Sequence, residues 1–233
     1  MKTSLKAIVI SALAIGFASA NAQAATIATW TFESSVPTTA GPIAPEVGSG
    51  TATGSHAAGA AVYSNPAGNG SNESFSADNW QVGDYWQFSV SSAGFSNIAL
   101  SWDQTSSNTG PRDFTLAYST NGTTFTNLLS YSVLANATPN PTWSATTPHP
   151  EFHFTQDLSS LLGVNNQTSL IFRLTDASTV SANGGAIGTA GTDRVDNFSV
   201  SGTAVAAVPV PAAVWLLGSA LMGLTGLRRR QSV

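Results

Sequence analysis

A chain of 233 residues with 42% apolar side chains can bury a full core, and with no cysteine it has no thiol nucleophile and no thiolate metal site. Its net charge of −4 hides an uneven placement: Lys2, Lys6, Arg228, Arg229 and Arg230 hold most of the basic charge at the two ends. Residues 25–207 keep only Arg112, Arg173 and Arg194 against all twelve acids, a net charge of −9. Such a stretch repels phosphate backbones and argues against nucleic acid as a partner. It suits Ca²⁺ or neutral polysaccharide, and the same charge also maintains solubility.

The first predicted element is a secretory signal, residues 1–24. Lys2 and Lys6 form the positive region, residues 7–18 the apolar region, and Ala22-Gln23-Ala24 the cleavage site, with Ala18-Ser19-Ala20 as a second candidate. Export through the Sec machinery follows. Residues 25–33 alternate, Ile27 and Thr29 to one side and Ala28, Trp30 and Phe32 to the other, as in a strand. Residues 34–59 and 65–79, rich in Gly, Ser and Asn or in Pro and Thr, read as loops around a short strand at 60–64. Period-two patterns then recur at Trp86, Phe88 and Val90, at Ile98, Leu100 and Trp102, and at Phe114, Leu116 and Tyr118. Thr120-Asn121-Gly122 is a tight turn, because Asn and Gly accept positive φ, and Phe125 starts the return strand of a hairpin. Residues 135–150 hold four prolines and read as loop. A short strand at 151–155, one or two helical turns at 158–164, and strands at 168–175 and 194–201 complete the pattern, with a small-residue loop at 177–192. The prediction for residues 25–205 is all-β: a β-sandwich of the jelly-roll type, with the first strand near the last.

The end of the chain has a different character. Pro209 and Pro211, in Val208-Pro209-Val210-Pro211, stiffen an extended entry. Residues 212–227 carry no charge, and as a helix would run ~24 Å at 1.5 Å per residue. Counted from Val208, the run reaches the length of a transmembrane helix. Arg228, Arg229 and Arg230 then stop transfer and hold that end in the cytoplasm. This order of a Pro-x-Pro motif, one apolar helix and an Arg-rich end over residues 206–233 resembles the PEP-CTERM sorting signal of Gram-negative bacteria, with Val210 where the family name has Glu. The resemblance implies processing by an exosortase, a membrane-embedded cysteine transpeptidase. The protein would pass through the inner membrane and finish at the cell surface or in the extracellular matrix.

The stretches W-T-F-E, Y-W-Q-F-S-V, F-T-L-A-Y-S-T-N-G-T-T-F and D-R-V-D-N-F-S-V resemble jelly-roll domains of bacterial surface proteins and accessory domains of secreted enzymes. This implies a non-enzymatic binding or structural module associated with exopolysaccharide. The alternative is a secreted hydrolase acting on polysaccharide with the same fold. In carbohydrate-binding jelly rolls a structural Ca²⁺ joins the first and last strands, so Glu33 and Asp196 are the residues to share such an ion. An Asp-Arg surface pair with turn chemistry is the plainer account of 193–197. Trp80, Trp102 and Trp143 are candidate platforms for sugar rings, against ordinary packing; Trp30 and Trp86 fall on core positions. His149 and His153 do not form H-E-x-x-H, and on a strand their side chains would lie ~13 Å apart. There is no G-x-S-x-G, and residues 183–191 lack the Lys of a phosphate-binding loop. The twelve acids show no pair with a distinguishing local motif for glycoside hydrolysis.

Overall fold

Period-two alternation produces strands with one apolar face, and two such faces must be buried against each other. The computed structural model describes residues 23–205. The predicted signal peptide, sorting motif and tail helix fall on residues outside those described. Among the described residues no helix is long and apolar enough to cross a membrane.

Strands are numbered in chain order. Sheet A runs β10 (His153–Asp157), β7 (Phe95–Ser106), β12 (Asp193–Ala204), β1 (Ala24–Trp30), β2 (Val47–Gly48), and β5 (Phe75–Ala77) with β4 (Tyr63–Ser64) continues it along the first part of β12. Sheet B runs β3 (Gly50–Ser55), β6 (Tyr85–Val90), β11 (Leu170–Asp176), β8 (Asp113–Ser119), β9 (Thr126–Ser132). Every ladder is antiparallel. The first and last strands adjoin as predicted, with Trp30 opposite Phe198.

Of the inward positions read from the sequence, Trp86, Phe88, Ile98, Trp102, Phe114, Leu116, Leu170, Phe172, Leu174, Phe198 and Val200 are fully enclosed, whereas Tyr118 is only half-buried. The sheets meet at Phe88 of β6 and Phe198 of β12, whose rings stack at 3.6 Å between centroids. Trp30 packs edge-on against both. Each such ring contributes roughly 1.5–3 kcal/mol through burial.

Two of the predicted loops contain strands. The stretch 34–59 holds β2 and β3, and 65–79 holds β5. The inward residues of β3 are Gly50, Ala52 and Gly54, so no large apolar side chain marks it. The reason lies beneath them. A Cβ on Gly50 would come 2.9 Å from the Trp30 ring, and one on Gly54 would meet Trp86 at 2.9 Å. Large rings on the neighbouring strands and sheet fill the space that β3 leaves. In β1 a bulge between Thr26 and Ala28 turns both Ile27 and Ala28 inward, against the alternation expected. The predicted strand at 151–155 begins two residues later, after a single 3₁₀ turn at Pro150–Phe152.

Candidate functional site

The outer face of sheet B is open, and its register arranges the outward side chains in rows. The central row is Thr53, Gln87, Arg173, Ala117 and Asn127, one from each strand. Beside it run Ser55, Tyr85, Thr175, Thr115 and Ser130 on one flank, and Thr51, Ser89, Ile171 and Ser119 on the other. None of these side chains is a carboxylate. The first acid beyond them, Asp113, is neutralised by Arg112, whose Nε and Nη2 donate to its two oxygens at 2.9 and 3.0 Å. That guanidinium, with help from the Ser178 and Ser132 hydroxyls, holds the Asp113 carboxyl down at about 2 against the opposing effect of burial.

Arg173 sits at the middle of this face. Its guanidinium carbon lies 4.0 Å from the Tyr85 ring centroid and 3.8 Å from that of Phe125. Its Nε donates to Gln87 Oε1 at 2.8 Å. Tyr85 comes from β6 on one side of β11. Phe125 comes from the β8–β9 connection on the other, so the rings approach from opposite flanks. A shallow depression of about 330 Å³ opens here, lined by Val82, Gly83, Thr115, Phe125, Asn127 and Asp176 together with Arg173.

Between the sheets lies a second, closed polar group. Asp193 is fully buried, and its Oδ1 accepts from Trp86 Nε1 at 2.6 Å and Gln104 Nε2 at 3.1 Å. Gln104 Oε1 in turn accepts from Trp102 Nε1 and the Tyr131 hydroxyl. The Ser106 hydroxyl lies 2.6 Å from Pro111 O and 2.9 Å from Asp193 Oδ2. It has one hydrogen, and a carbonyl can only accept. Ser106 therefore donates to Pro111 and accepts from Asp193, which places a proton on Asp193 Oδ2. Burial pushes this carboxyl up to about 8, against the pull of its donors, which fits that assignment.

The predicted site residues are distributed as follows. Trp80, Trp102 and Trp143 are only 3%, 0% and 6% exposed, so the expectation that they present open faces to a sugar is corrected. Trp102 stacks on Phe154, Trp80 packs on Trp86 and Phe114, and Trp143 lies edge-on to Phe152 with the Arg194 guanidinium over it. Glu33 and Asp196 hold one loop, but by separate bonds. Glu33 accepts from Glu73 N and Asn72 Nδ2, whereas Asp196 accepts from Asn69 N, the Ser71 hydroxyl and Asn197. Donors surround Asp196, and burial raises it to about 7. Among the described residues no group of three or more His, Cys, Asp or Glu side chains is arranged for a metal. These residues do not fit a shared Ca²⁺. His153 Nδ1 lies 2.7 Å from Asp103 Oδ1, and His149 is tied to Asn69 through its backbone, so the two histidines hold different partners. Val208, Pro209, Val210, Pro211, Arg228, Arg229 and Arg230 lie outside the described residues.

Arg173, Tyr85 and Phe125 were not among the predicted site residues. The signal available was the outward position of the single base within L-I-F-R-L-T-D, in a region with only three arginines.

No family model matches this chain, and no curated protein matches it. Among solved structures, the chain is similar to the K1 cleaved adhesin domain of Lys-gingipain from Porphyromonas gingivalis W83, with a TM-score of 0.44 and 14% identity over 76% of this chain and 97% of that one. It is also similar to the CBM22-2 xylan-binding domain from Paenibacillus barcinonensis, with a TM-score of 0.42 and 12% identity over 75% of this chain and 98% of that one.

Proposed function

We propose that this protein is an exported, non-enzymatic module that holds polysaccharide on the outer face of sheet B. The observation that carries the reading is the composition of that face. A region with a net charge of −9 presents three rows made mostly of hydroxyl, amide and guanidinium groups, broken by Ala117 and Ile171, with no carboxylate among them. Rows of neutral donors and acceptors on rigid strands suit a ligand rich in hydroxyls, and they need no rearrangement to meet it. The hydrolase alternative requires two carboxylates facing an open cleft. Asp103 and Asp196, register partners on β7 and β12, are 5% and 0% exposed and are engaged by His153, Asn197, Ser71 and Asn69. Native gels containing soluble polysaccharides test the reading. Retardation of the protein, lost in a Thr53→Ala, Gln87→Ala, Asn127→Ala variant with an unchanged circular dichroism spectrum, supports it. Retention of full binding by that variant refutes the site.

The delivery part of the proposal rests on the tail sequence. Residues 1–24 direct export, and residues 206–233 present the Val-Pro-Val-Pro motif to an exosortase, with the apolar run held in the inner membrane until the cut. Three arginines will not follow the domain across, since a charge at mid-bilayer costs at least ~2.5 kcal/mol. Fractionation decides this. In an exosortase-bearing strain, a tagged domain leaves the membrane at reduced mass. A full-length, membrane-bound product there means a permanent anchor instead.

A further inference from the structure

We propose that the sheet-B face selects acidic saccharides, with the Arg173 guanidinium receiving the carboxylate of a uronate residue. This rests on the reading of that face as the polysaccharide site, and it names the class of sugar.

The three arginines of the described region differ in what they hold. Arg112 is bidentate on Asp113, and Arg194 donates from Nη1 to Ala67 O while lying against Trp143. Arg173 donates only from Nε, to Gln87 Oε1. Its two terminal nitrogens have no hydrogen-bond partner among the described residues, and no carboxylate pairs with it there. In a region with four acids for every base, a cation left without an acid at the centre of an acid-free face is an unusual arrangement.

The packing around Arg173 shapes what it can do. Tyr85 and Phe125 flank the guanidinium at 4.0 and 3.8 Å, which limits its motion and occupies its faces. The terminal edge remains. That edge, with two parallel N–H groups in a fixed plane, is the part that matches a carboxylate bidentately. A uronate supplies what the terminal edge lacks, a carboxylate for Arg173. The remainder of the region, at a net charge of −9, repels an anionic polymer, so the attraction must come from Arg173 itself.

The test uses the full chain in detergent and three probes: polygalacturonate, the same polymer fully methyl-esterified, and a neutral β-glucan. Affinity is measured at physiological salt. The expected result is tightest binding to polygalacturonate, weakened about tenfold or more by esterification, which removes the charge and keeps the backbone. Arg173→Gln is expected to lose a similar factor on the acidic polymer alone. Arg112→Gln removes the same unit of charge from a paired arginine and is expected to change little. Arg173→Lys keeps the charge but not the fork, and should lose most of the affinity. It also preserves the test if Arg173→Gln fails to fold. Equal binding of the acidic and esterified polymers, or equal losses in the Arg173→Gln and Arg112→Gln variants, would overturn the acidic class while leaving a polysaccharide site in place. Absence of binding to all three probes by the folded wild-type chain overturns both readings together.

Discussion

On β12, Asp193 and Asp196 are withdrawn completely from water; across the sandwich, the outward rows of sheet B stand open and carry no acid. Both regions are polar, and both are built on strands of the same core. In the first, each carboxyl group is held by partners from distant parts of the chain: the Trp86 and Gln104 donors and the Ser106 hydroxyl around Asp193, the Asn69 and Ser71 donors around Asp196. In the second, the side chains bond sparingly to one another, and the terminal nitrogens of Arg173 bond to nothing described. Buried polar groups are costly unless every partner is present. The acidic positions of β12 are therefore structural. An open polar face carries no such requirement, and it is the region free to meet a ligand.

The largest expected effect tests the closed region. Asp193→Ala leaves the Trp86 and Gln104 donors without an acceptor inside the core, and it also leaves a void. The expected loss is about 3 kcal/mol or more in urea unfolding, since each unsatisfied buried group costs about 1–3 kcal/mol. Asp193→Asn should be far milder. Its Oδ1 accepts from Trp86 and Gln104 as before, and its Nδ2 donates to Ser106 where the proton of Asp193 now does. An Asn variant as damaged as the Ala variant would show that Asp193 is ionised in the folded state.

A second expectation follows from the same proton. Asp193, Asp196 and Asp176 have folded-state carboxyls raised to about 8, 7 and 6, chiefly by burial. Unfolded, they would titrate near 3.9. Between those values the folded state binds more protons than the unfolded one, so stability is fully present below pH ~4 and declines as pH rises toward 8. Asp113 acts in the opposite sense: lowered to about 2, it stabilises above pH ~4 and loses that contribution as pH falls toward 2. The melting temperature should therefore be highest near pH 4–5 and lower at pH 8. Asp193→Asn should flatten much of that slope. A melting temperature that rises between pH 5 and pH 8 would contradict the closed acidic region outright.

How much of this the sequence shows depends on where side-chain size carries the signal. The strands of Trp86, Phe88 and Val90 and of Leu170, Phe172 and Leu174 are legible, because their inward residues are large. β3 is not, because Gly50, Ala52 and Gly54 are small in order to lie over Trp30 and Trp86. β5 is too short to alternate. Of the tryptophans named as sugar platforms, Trp102 turns inward from β7 onto Phe154 and Tyr131, and Trp143 is buried edge-on to Phe152. The role of Asp193 is also hidden, since its donors come from β6 and β7, some 90 to 110 positions away in the chain. The acid-free rows of sheet B exist only once register is known: Thr53, Gln87, Arg173, Ala117 and Asn127 form a line across five strands, and no local motif joins them.

The flanking rings on the open face occupy a middle position. Tyr85→Ala and Phe125→Ala each remove one cation–π contact with Arg173, worth about 0.5–1 kcal/mol at a partly exposed site. Each should also loosen the guanidinium and weaken binding of an acidic polymer more than it weakens the fold. A stability loss comparable with Asp193→Ala, measured in the same urea series, would mean that the Arg173 stack belongs to the scaffold rather than to a binding face.

The smallest expected effect on stability is the sharpest test of the contrast. Asn127 is exposed at the edge strand β9, and Thr53 lies at the other end of the same row on β3. Neither side chain makes a hydrogen bond among the described residues. Asn127→Ala and Thr53→Ala should each stay within about 0.5 kcal/mol of the parent in urea unfolding, as surface substitutions do. If the row is a binding surface, the same two substitutions should still reduce retardation in polysaccharide-containing gels. Asp196→Ala is the reverse case: its cost should appear in unfolding, with binding unchanged at temperatures where the variant remains folded. The two kinds of variant therefore separate on two independent measurements. Should Asn127→Ala and Thr53→Ala leave both unchanged, the row is plain solvated surface and the ligand lies elsewhere on the molecule.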